Sequence, residues 1–328
     1  MRVFVTGATG LLGSHLAVEL RRREIDVVAL VRPSSDTRLL EQIGVRIREG
    51  DIQLTADDLA PLMDGCTHVV HSAALVYAGR EWPKIRAVNV DGTRNVLTAA
   101  LNAGVEHALH VSSVSVYGPA GGEIDESTPI DTPIAPDDLY ARSKREAEEV
   151  ARGIEAMRGL PVTIVRPAAV YGERDRLLTP ALADLLDLPL TPLFGPADNT
   201  LPVVYAGNVA HAMAVCLGVA RGGDTFDIGK DHPLTQGDLF RLLAEGLGRR
   251  PRFVRIPAAL VRGVARALSR LGVKTPGAAH LSVDRVARLA LGENPYPSRR
   301  IRSMLGWSPP HRHEDALPRA GAWLARGR

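Results

Sequence analysis

The run Tyr140-Ala141-Arg142-Ser143-Lys144 places a phenol and an ammonium four positions apart. On a helix, positions i and i+4 share a face, so both groups can point into one cleft. A free tyrosine has a pKa near ~10 and exchanges protons poorly at neutral pH. A cation about 6 Å away, at an effective dielectric of about 20, favours the phenolate by roughly 2.8 kcal/mol, about two pKa units. That brings the phenol within reach of general acid–base chemistry. The choice of cation strengthens the reading. Lysine occurs only at Lys84, Lys144, Lys230 and Lys274 among 40 Lys+Arg, so the chain otherwise uses arginine. Lys144 is best explained by a task that suits a compact ammonium.

A second constellation is Gly7-Ala8-Thr9-Gly10-Leu11-Leu12-Gly13, between an apolar run and a helical pattern. Glycines at such a turn let backbone N–H groups approach a pyrophosphate at a helix N-terminus. A site for NAD usually adds a carboxylate about 20 residues on, at the end of the second strand, to hold the ribose hydroxyls. Here that segment reads Val31-Arg32-Pro33-Ser34-Ser35, without an acid. Arg32 offers a planar fork for a phosphate, and Ser34 or Ser35 a hydroxyl. The missing acid and the arginine both point to NADP over NAD, although an arginine-rich chain also places solvated arginines freely. A third element is the serine-rich turn Ser112-Ser113-Val114-Ser115, where a hydroxyl can meet a substrate carbonyl.

The elements that must position these groups follow from periodicity. Short apolar runs at 3–5, 27–31, 45–47, 68–70, 108–111 and 162–165 read as buried strands. Helical patterns at 12–22, 56–63, 85–102 and 139–157 alternate with them. This alternation predicts an α/β fold, a Rossmann-type doubly wound parallel sheet with helices on both faces. In such sheets ligands bind at the carboxyl ends of the strands, where the three constellations fall. After Pro167 the texture changes to proline-rich short pieces over 173–202, then a strand and helix over 203–217, then mostly helical patterns. The expected division is a dinucleotide-binding domain over 1–172, with a return at 203–220. A smaller, mostly helical substrate domain would take 173–202 and 221–328.

Glycine turn, Arg32, serine turn and Tyr-x-x-x-Lys, in that order, resemble the extended short-chain dehydrogenase/reductase family. The resemblance extends to Asp51-Ile52, His71-Ser72-Ala73-Ala74, Asn89-Val90-Asp91-Gly92-Thr93, Arg166-Pro167-Ala168-Ala169-Val170-Tyr171-Gly172 and Leu305-Gly306-Trp307. It implies Ser113, Tyr140 and Lys144 as the catalytic set. Tyr140 would exchange the proton, Lys144 would lower its pKa and hold the nicotinamide ribose, and Ser113 would orient the carbonyl. It implies a cofactor site of Gly7, Thr9, Gly10, Leu11, Leu12, Gly13, Arg32 and Ser35, with Asp51 and Ile52 flanking the adenine. Ser72, Ala73, Ala74, Ser112, Pro167, Ala168 and Val170 would line the same site. Asn89 reads equally as a helix-packing amide.

Departures from the family narrow the branch. Nucleotide-sugar members usually carry an asparagine where this chain has Ala169, and an arginine within the segment matching 199–205, where none occurs. Sugar dehydratases add an Asp-Glu pair where Val114 and Ser115 stand. What remains resembles the 3β-hydroxysteroid dehydrogenase and dihydroflavonol-reductase-like branch, which acts on apolar alcohols and ketones. The expected function is therefore an NADP(H)-dependent carbonyl reductase or alcohol dehydrogenase. A sugar epimerase, nucleotide-sugar or hopanoid-associated, is the alternative, and an NADP-sensing regulator a third. Tyr77, Ser115, Tyr171 and Tyr205, with Asn208, are candidates for substrate contact from position alone. The pocket is expected from segments 75–86, 119–136 and 173–202.

Composition excludes other classes. The chain has 328 residues, 45% hydrophobic and 23% charged, with a formal charge of +3, too balanced for a nucleic-acid partner. Cys66 and Cys216 sit singly in apolar runs, as suits a reducing compartment. The first residues run directly into a strand, and no apolar run reaches the roughly 18 residues of a membrane span. A cytoplasmic protein is expected, and the resemblance adds a homodimer. His311-Arg312-His313 lacks the companions of a metal site and reads as a solvated terminal segment. Arg262, Arg266 and Arg270 form a basic stripe that could touch an anionic membrane but reads first as a solvated helix face.

Overall fold

The computed structural model describes residues 1–76, 81–119, 122–219, 221–270, 287 and 290–327. The first strands are β1 Arg2–Thr6, β2 Asp26–Val31, β3 Arg46–Glu49, β4 His68–His71, β5 His107–Val111 and β6 Val162–Pro167. Beyond them come β7 Ala169–Tyr171, β8 Thr191–Phe194, β9 Val203–Tyr205, β10 Thr225–Ile228 and β11 Phe253–Ile256. Seven of these form one sheet in the order β10-β6-β5-β4-β1-β2-β3. Every pairing in it is parallel. The order reverses between β1 and β4, which opens a crevice at their carboxyl ends.

Side chains alternate across the sheet, as a period of two requires. Val3, Val5, Val27 and Ala29 face the helices Leu11–Arg22 and Ala206–Val219. Phe4, Val28, Val69 and Ala108 face the helices Gly92–Asn102 and Leu139–Arg158. Burial on both faces explains why these strands read as unbroken apolar runs. A further core joins the helices Leu178–Leu186, Gln236–Gly246 and His313–Gly327 around the small β7–β9 sheet, through Leu186, Tyr205, Phe240, Leu243 and Leu317.

Three expectations change. The helical pattern over 85–102 is a helix Trp82–Arg86, one widened π-turn Ala87–Asp91, and a helix Gly92–Asn102. The strand at 203–205 does not rejoin the main sheet but pairs with β7. That edge of the main sheet is taken by β10, where Phe226 pairs with Val165, so the chain returns only after the helix Ala206–Val219. β10 reads Thr-Phe-Asp-Ile, four residues with an acid inside, too short and mixed to stand out by periodicity. The chain also ends in a helix, His313–Gly327, not a solvated tail. Its Pro318 interrupts the apparent pattern, while Glu314 and Asp315 favour its N-terminal turn. The expected helix at 282–291 lies largely outside the described residues.

Candidate active site

The glycine turn closes on itself through Gly10 N–H donating to Gly7 O at 2.9 Å. Gly7 adopts φ +72°, and a Cβ there would meet Ala73 N at 2.7 Å. A Cβ on Gly13 would meet Gly7 O at 2.2 Å. Only glycine at both positions lets the helix Leu11–Arg22 start directly above β1. Its first backbone N–H groups then face the crevice with no acidic side chain in the first turn. At the end of β2, Arg32 is exposed and lines the cleft with Ser35. The next carboxylate, Asp36, is held by Arg38 at 2.6 Å, which lowers its pKa to about 2. Asp51 and Ile52 line the same end.

The end of β4 is locked from both sides. Thr6 Oγ1 and Thr93 Oγ1 bracket the two ring nitrogens of His71 at 2.8 and 3.0 Å. Burial keeps that imidazole neutral, with its pKa lowered to about 3. Ser72 donates to Thr6 O, and Ala73 and Ala74 form the crevice floor. Asn89, buried in the π-turn, accepts from Leu75 N at 2.7 Å and donates to Leu75 O and Ser143 Oγ. It therefore ties the loop after β4 to the helix that bears Tyr140. The packing role is real, and it positions the site.

The helix Leu139–Arg158 begins on Asp138, whose carboxylate accepts from Ala141 N at 3.1 Å. Its flanks are pinned as well. Arg145 donates to Val116 O and Thr132 O, holding the loop after β5 against the helix. On the cleft face, Tyr140 is half-buried and Lys144 is buried. Lys144 Nζ donates to Val111 O at 2.8 Å, at the carboxyl end of β5. Burial lowers the ammonium pKa to about 8, against the opposing pull of Glu148 one turn on. Ser113 Oγ caps the turn Val114–Tyr117 by accepting from Ser115 N at 3.1 Å. Ser112 and Ser115 carry buried hydroxyls without a partner among the described residues, and both line the cleft.

Behind Lys144 runs a buried chain of polar groups. Glu148 accepts two bonds from Arg166, at 2.8 and 2.6 Å. Arg166 Nη1 donates to Tyr117 Oη at 2.8 Å, and Tyr117 Oη donates to Asp227 Oδ2 at 2.6 Å. Burial raises the Asp227 carboxyl to about 7. This chain links the helix Leu139–Arg158 to β6 and the edge strand β10.

One continuous cleft of about 1640 Å3 joins these parts. It is lined by Gly7, Thr9, Gly10, Leu11, Leu12 and Gly13 at one end, and by Ser113, Tyr140 and Lys144 in the middle. Pro167, Ala168 and Val170 also lie on it. Tyr171 and Tyr205 do not. Tyr171 is fully buried against His313 Nδ1 at 2.8 Å, and Tyr205 donates to Glu173 at 2.9 Å. Asn208 is likewise buried, donating to Asp231 and His311 O. His313 completes this internal network through Asp231 at 3.2 Å, which raises its pKa despite burial. Tyr77 lies outside the described residues. Among the described residues no group of His, Cys, Asp or Glu is arranged to hold a metal.

Other cleft residues belong to no motif, although Arg174 falls in the 173–202 segment expected to line the pocket. Arg174, with φ +69°, donates from Nε to Ser14 Oγ at 2.8 Å and so lies over the first turn of the helix behind the glycines. The far wall also draws on Gln236, Leu239 and Phe240, and on Glu293, Pro295 and Tyr296 near the chain end. No local pattern marks these residues, because tertiary packing alone brings them to the cleft.

The sheet order, glycine cradle and crevice define a Rossmann-type dinucleotide-binding protein. The family model for the NAD dependent epimerase/dehydratase family matches residues 3–229, and the chain belongs to that family of extended short-chain dehydrogenases/reductases. A 4-hydroxy-2-methyl-3-oxo-4-farnesyl-3,4-dihydroquinoline-1-oxide ketoreductase of Stigmatella aurantiaca is 28% identical, covering 98% of this chain and 97% of the relative. A 3beta-hydroxysteroid-dehydrogenase/decarboxylase of Arabidopsis thaliana is 28% identical over 93% of this chain, which spans only 58% of that longer protein. Among solved structures, the dTDP-glucose 4,6-dehydratase DesIV of Streptomyces venezuelae, with NAD bound, superposes with a TM-score of 0.74. It is 26% identical and covers 100% of this chain and 98% of its own.

Proposed function

We propose that the protein is an NADP(H)-dependent oxidoreductase that interconverts a carbonyl and a secondary alcohol on an apolar substrate. One juxtaposition carries the reading: Ser113, Tyr140 and Lys144 open onto a wall of Leu178, Leu182, Leu185, Phe194, Leu239 and Phe240. Such a wall suits an aliphatic or ring-bearing ketone and gives a charged sugar diphosphate little to pair with.

The turn fits a dinucleotide, because glycine at 7 and 13 permits the close backbone packing that starts the first helix at the cleft, with no acidic side chain in its first turn. Its N–H groups and Arg174 would hold the diphosphate, Arg32 and Ser35 the 2′-phosphate, and Asp51 and Ile52 the adenine end. A nicotinamide dinucleotide held there would supply or take up the hydride. Tyr140 Oη gives a proton to the substrate oxygen in reduction and takes it back in oxidation. Lys144 stabilises the phenolate left behind, and its own burial ensures that the charge is not dissipated into water. Ser113 Oγ, already held at the turn, donates to the same oxygen and fixes its position.

The test is NADPH consumption with a panel of apolar ketones and aldehydes. Stoichiometric oxidation of NADPH by at least one of them, abolished in Tyr140→Phe with NADPH binding retained, is the expected result. Full activity in Tyr140→Phe refutes the assignment. Epimerisation of a sugar substrate without net cofactor turnover would favour the sugar epimerase alternative.

A further inference from the structure

The surface beside the mouth of the cleft combines exposed apolar side chains with unpaired arginines. Strands β8 and β11 run side by side, with Phe253 opposite Thr191 and Val254 opposite Pro192. Arg249 binds Asp187 at 2.7 Å and so fixes the preceding turns together. On this surface Leu188 is 47% exposed, Leu190 51%, Phe253 41% and Val254 37%. The helix Ala258–Arg270 follows directly and adds Leu260, 57% exposed, and Val264, 48% exposed, one turn apart on one face. Leu188 also lines the cleft, so the apolar surface is continuous with the apolar wall.

The charge of the segment that carries β11 and the following helix is one-sided, and the carboxylate next to Leu188, Asp187, is paired with Arg249. From 246 to 283 the sequence holds seven arginines and one lysine, and no acidic residue. Arg250, Arg252, Arg255 and Arg262 are exposed and make no ion pair among the described residues. Apolar side chains interleaved with long cations match the boundary between acyl chains and anionic headgroups, where an arginine stem lies on lipid and its head reaches phosphate. A second copy of this chain fits poorly, because a two-fold contact would set arginines against arginines. A nucleic acid would meet Phe253, Leu260 and Val264 where it needs donors.

We infer that this face, formed by 188–190, 252–255 and 260–264, docks the protein on an anionic lipid surface, with the cleft mouth turned toward the bilayer. No helix among the described residues is long and apolar enough to cross a membrane, so the attachment is peripheral. An apolar substrate then moves between lipid and the wall at Leu188 without crossing water. The idea that the substrate is apolar rests on the proposed reaction, whereas the docking itself does not, and the two are tested separately.

The full chain is sedimented with vesicles of phosphatidylcholine alone and of phosphatidylcholine with phosphatidylglycerol. Binding to the anionic vesicles only, weakened by raising salt from 0.1 to about 0.5 M, is expected. Phe253→Ser with Leu260→Ser, and separately Arg252→Gln with Arg255→Gln, each lower the partition coefficient about tenfold or more. All four side chains are exposed, and unchanged circular dichroism and thermal midpoints verify folding. Equal binding to both vesicle types, no binding, or binding indifferent to both variants overturns the inference. So does a shift of oligomeric state in Phe253→Ser/Leu260→Ser without lipid, which would assign the face to a second copy. Retained ketone reduction in a variant that no longer binds vesicles separates the surface from the chemistry.

Discussion

Replacing Glu148 with glutamine removes one negative charge from a place where two buried cations depend on it. Glu148 and Arg166 are both almost fully buried and joined by two charge-assisted bonds of 2.6 and 2.8 Å. Burial works against the Arg166 charge, and the paired carboxylate more than offsets it, so that the guanidinium pKa is raised. Breaking such a pair on one side strands a charge at a cost of about 3–5 kcal/mol. Lys144 sits one helical turn from Glu148 and loses the influence that opposes its desolvation. At a separation of about 6 Å and an effective dielectric of about 20, that influence is roughly 2.8 kcal/mol, or about two pH units as an upper figure. The sign follows directly. Burial lowers the ammonium pKa to about 8, so the proposed reduction should decline above that pH, and in Glu148→Gln the decline should move to lower pH. Urea unfolding at pH 7 and the pH profile of kcat/KM measure the two effects on one variant. Glu148→Asp, which keeps the charge, should sit between wild type and Glu148→Gln. Destabilisation below about 1 kcal/mol together with an unmoved alkaline limb would refute the coupling.

Two arginines separate the parts of the cofactor site. Arg32→Ala should weaken NADPH about 10- to 100-fold and leave NADH unchanged, whereas Arg174→Ala should weaken both alike, since a charged hydrogen bond is worth about 1.5–3 kcal/mol. Fluorescence titration reads both, and loss of NADH affinity in Arg32→Ala would contradict its placement at the 2′-phosphate. At His313 the folded pKa is raised above its ordinary value near 6.5 by Asp231, which outweighs burial. The stability it contributes is fully present below about pH 6.5 and is lost as pH rises through the folded value. Stability of the wild type minus that of His313→Gln should therefore shrink with rising pH above 6.5, and a constant difference would argue against the charged pair.

What could be read from the chain alone was whatever local spacing encodes. The glycine turn, Tyr140, Lys144 and the two-sided burial of β1, β2, β4, β5 and β6 each depend on residues within a few positions of one another. They appear where expected. In contrast β3, expected as a buried strand, is an exposed sheet edge on which Arg46, Arg48 and Glu49 face solvent. Tyr171 and Tyr205 followed plausible strands, yet their rings turn into a core closed by His313 and Arg319 from the chain's last helix. Nothing near Tyr171 in sequence signals His313. For the same reason Tyr296 and Phe240 entered the cleft unannounced, and β10 was hidden by its own brevity. Arg174 carried a weaker local trace, standing just after the Tyr171-Gly172 pair at the end of β7. The NADP preference still rests on Arg32 and the absent acid, to which the structure adds that Asp36 is engaged elsewhere.

The late arrival of β10 governs how this chain can be made. The main sheet is left at Pro167 and regained at Thr225, after β7, β8, β9 and the helix Ala206–Val219. Its seventh strand therefore cannot pair with β6 during synthesis until the 178–194 part of the apolar cleft wall has emerged. Until then the β6 edge, Val162 to Pro167, is an open template of unpaired backbone groups. A fragment ending before β10 should aggregate through that edge. Changes to the 173–202 wall that slow its packing should lower the yield of native protein even where the finished fold tolerates them.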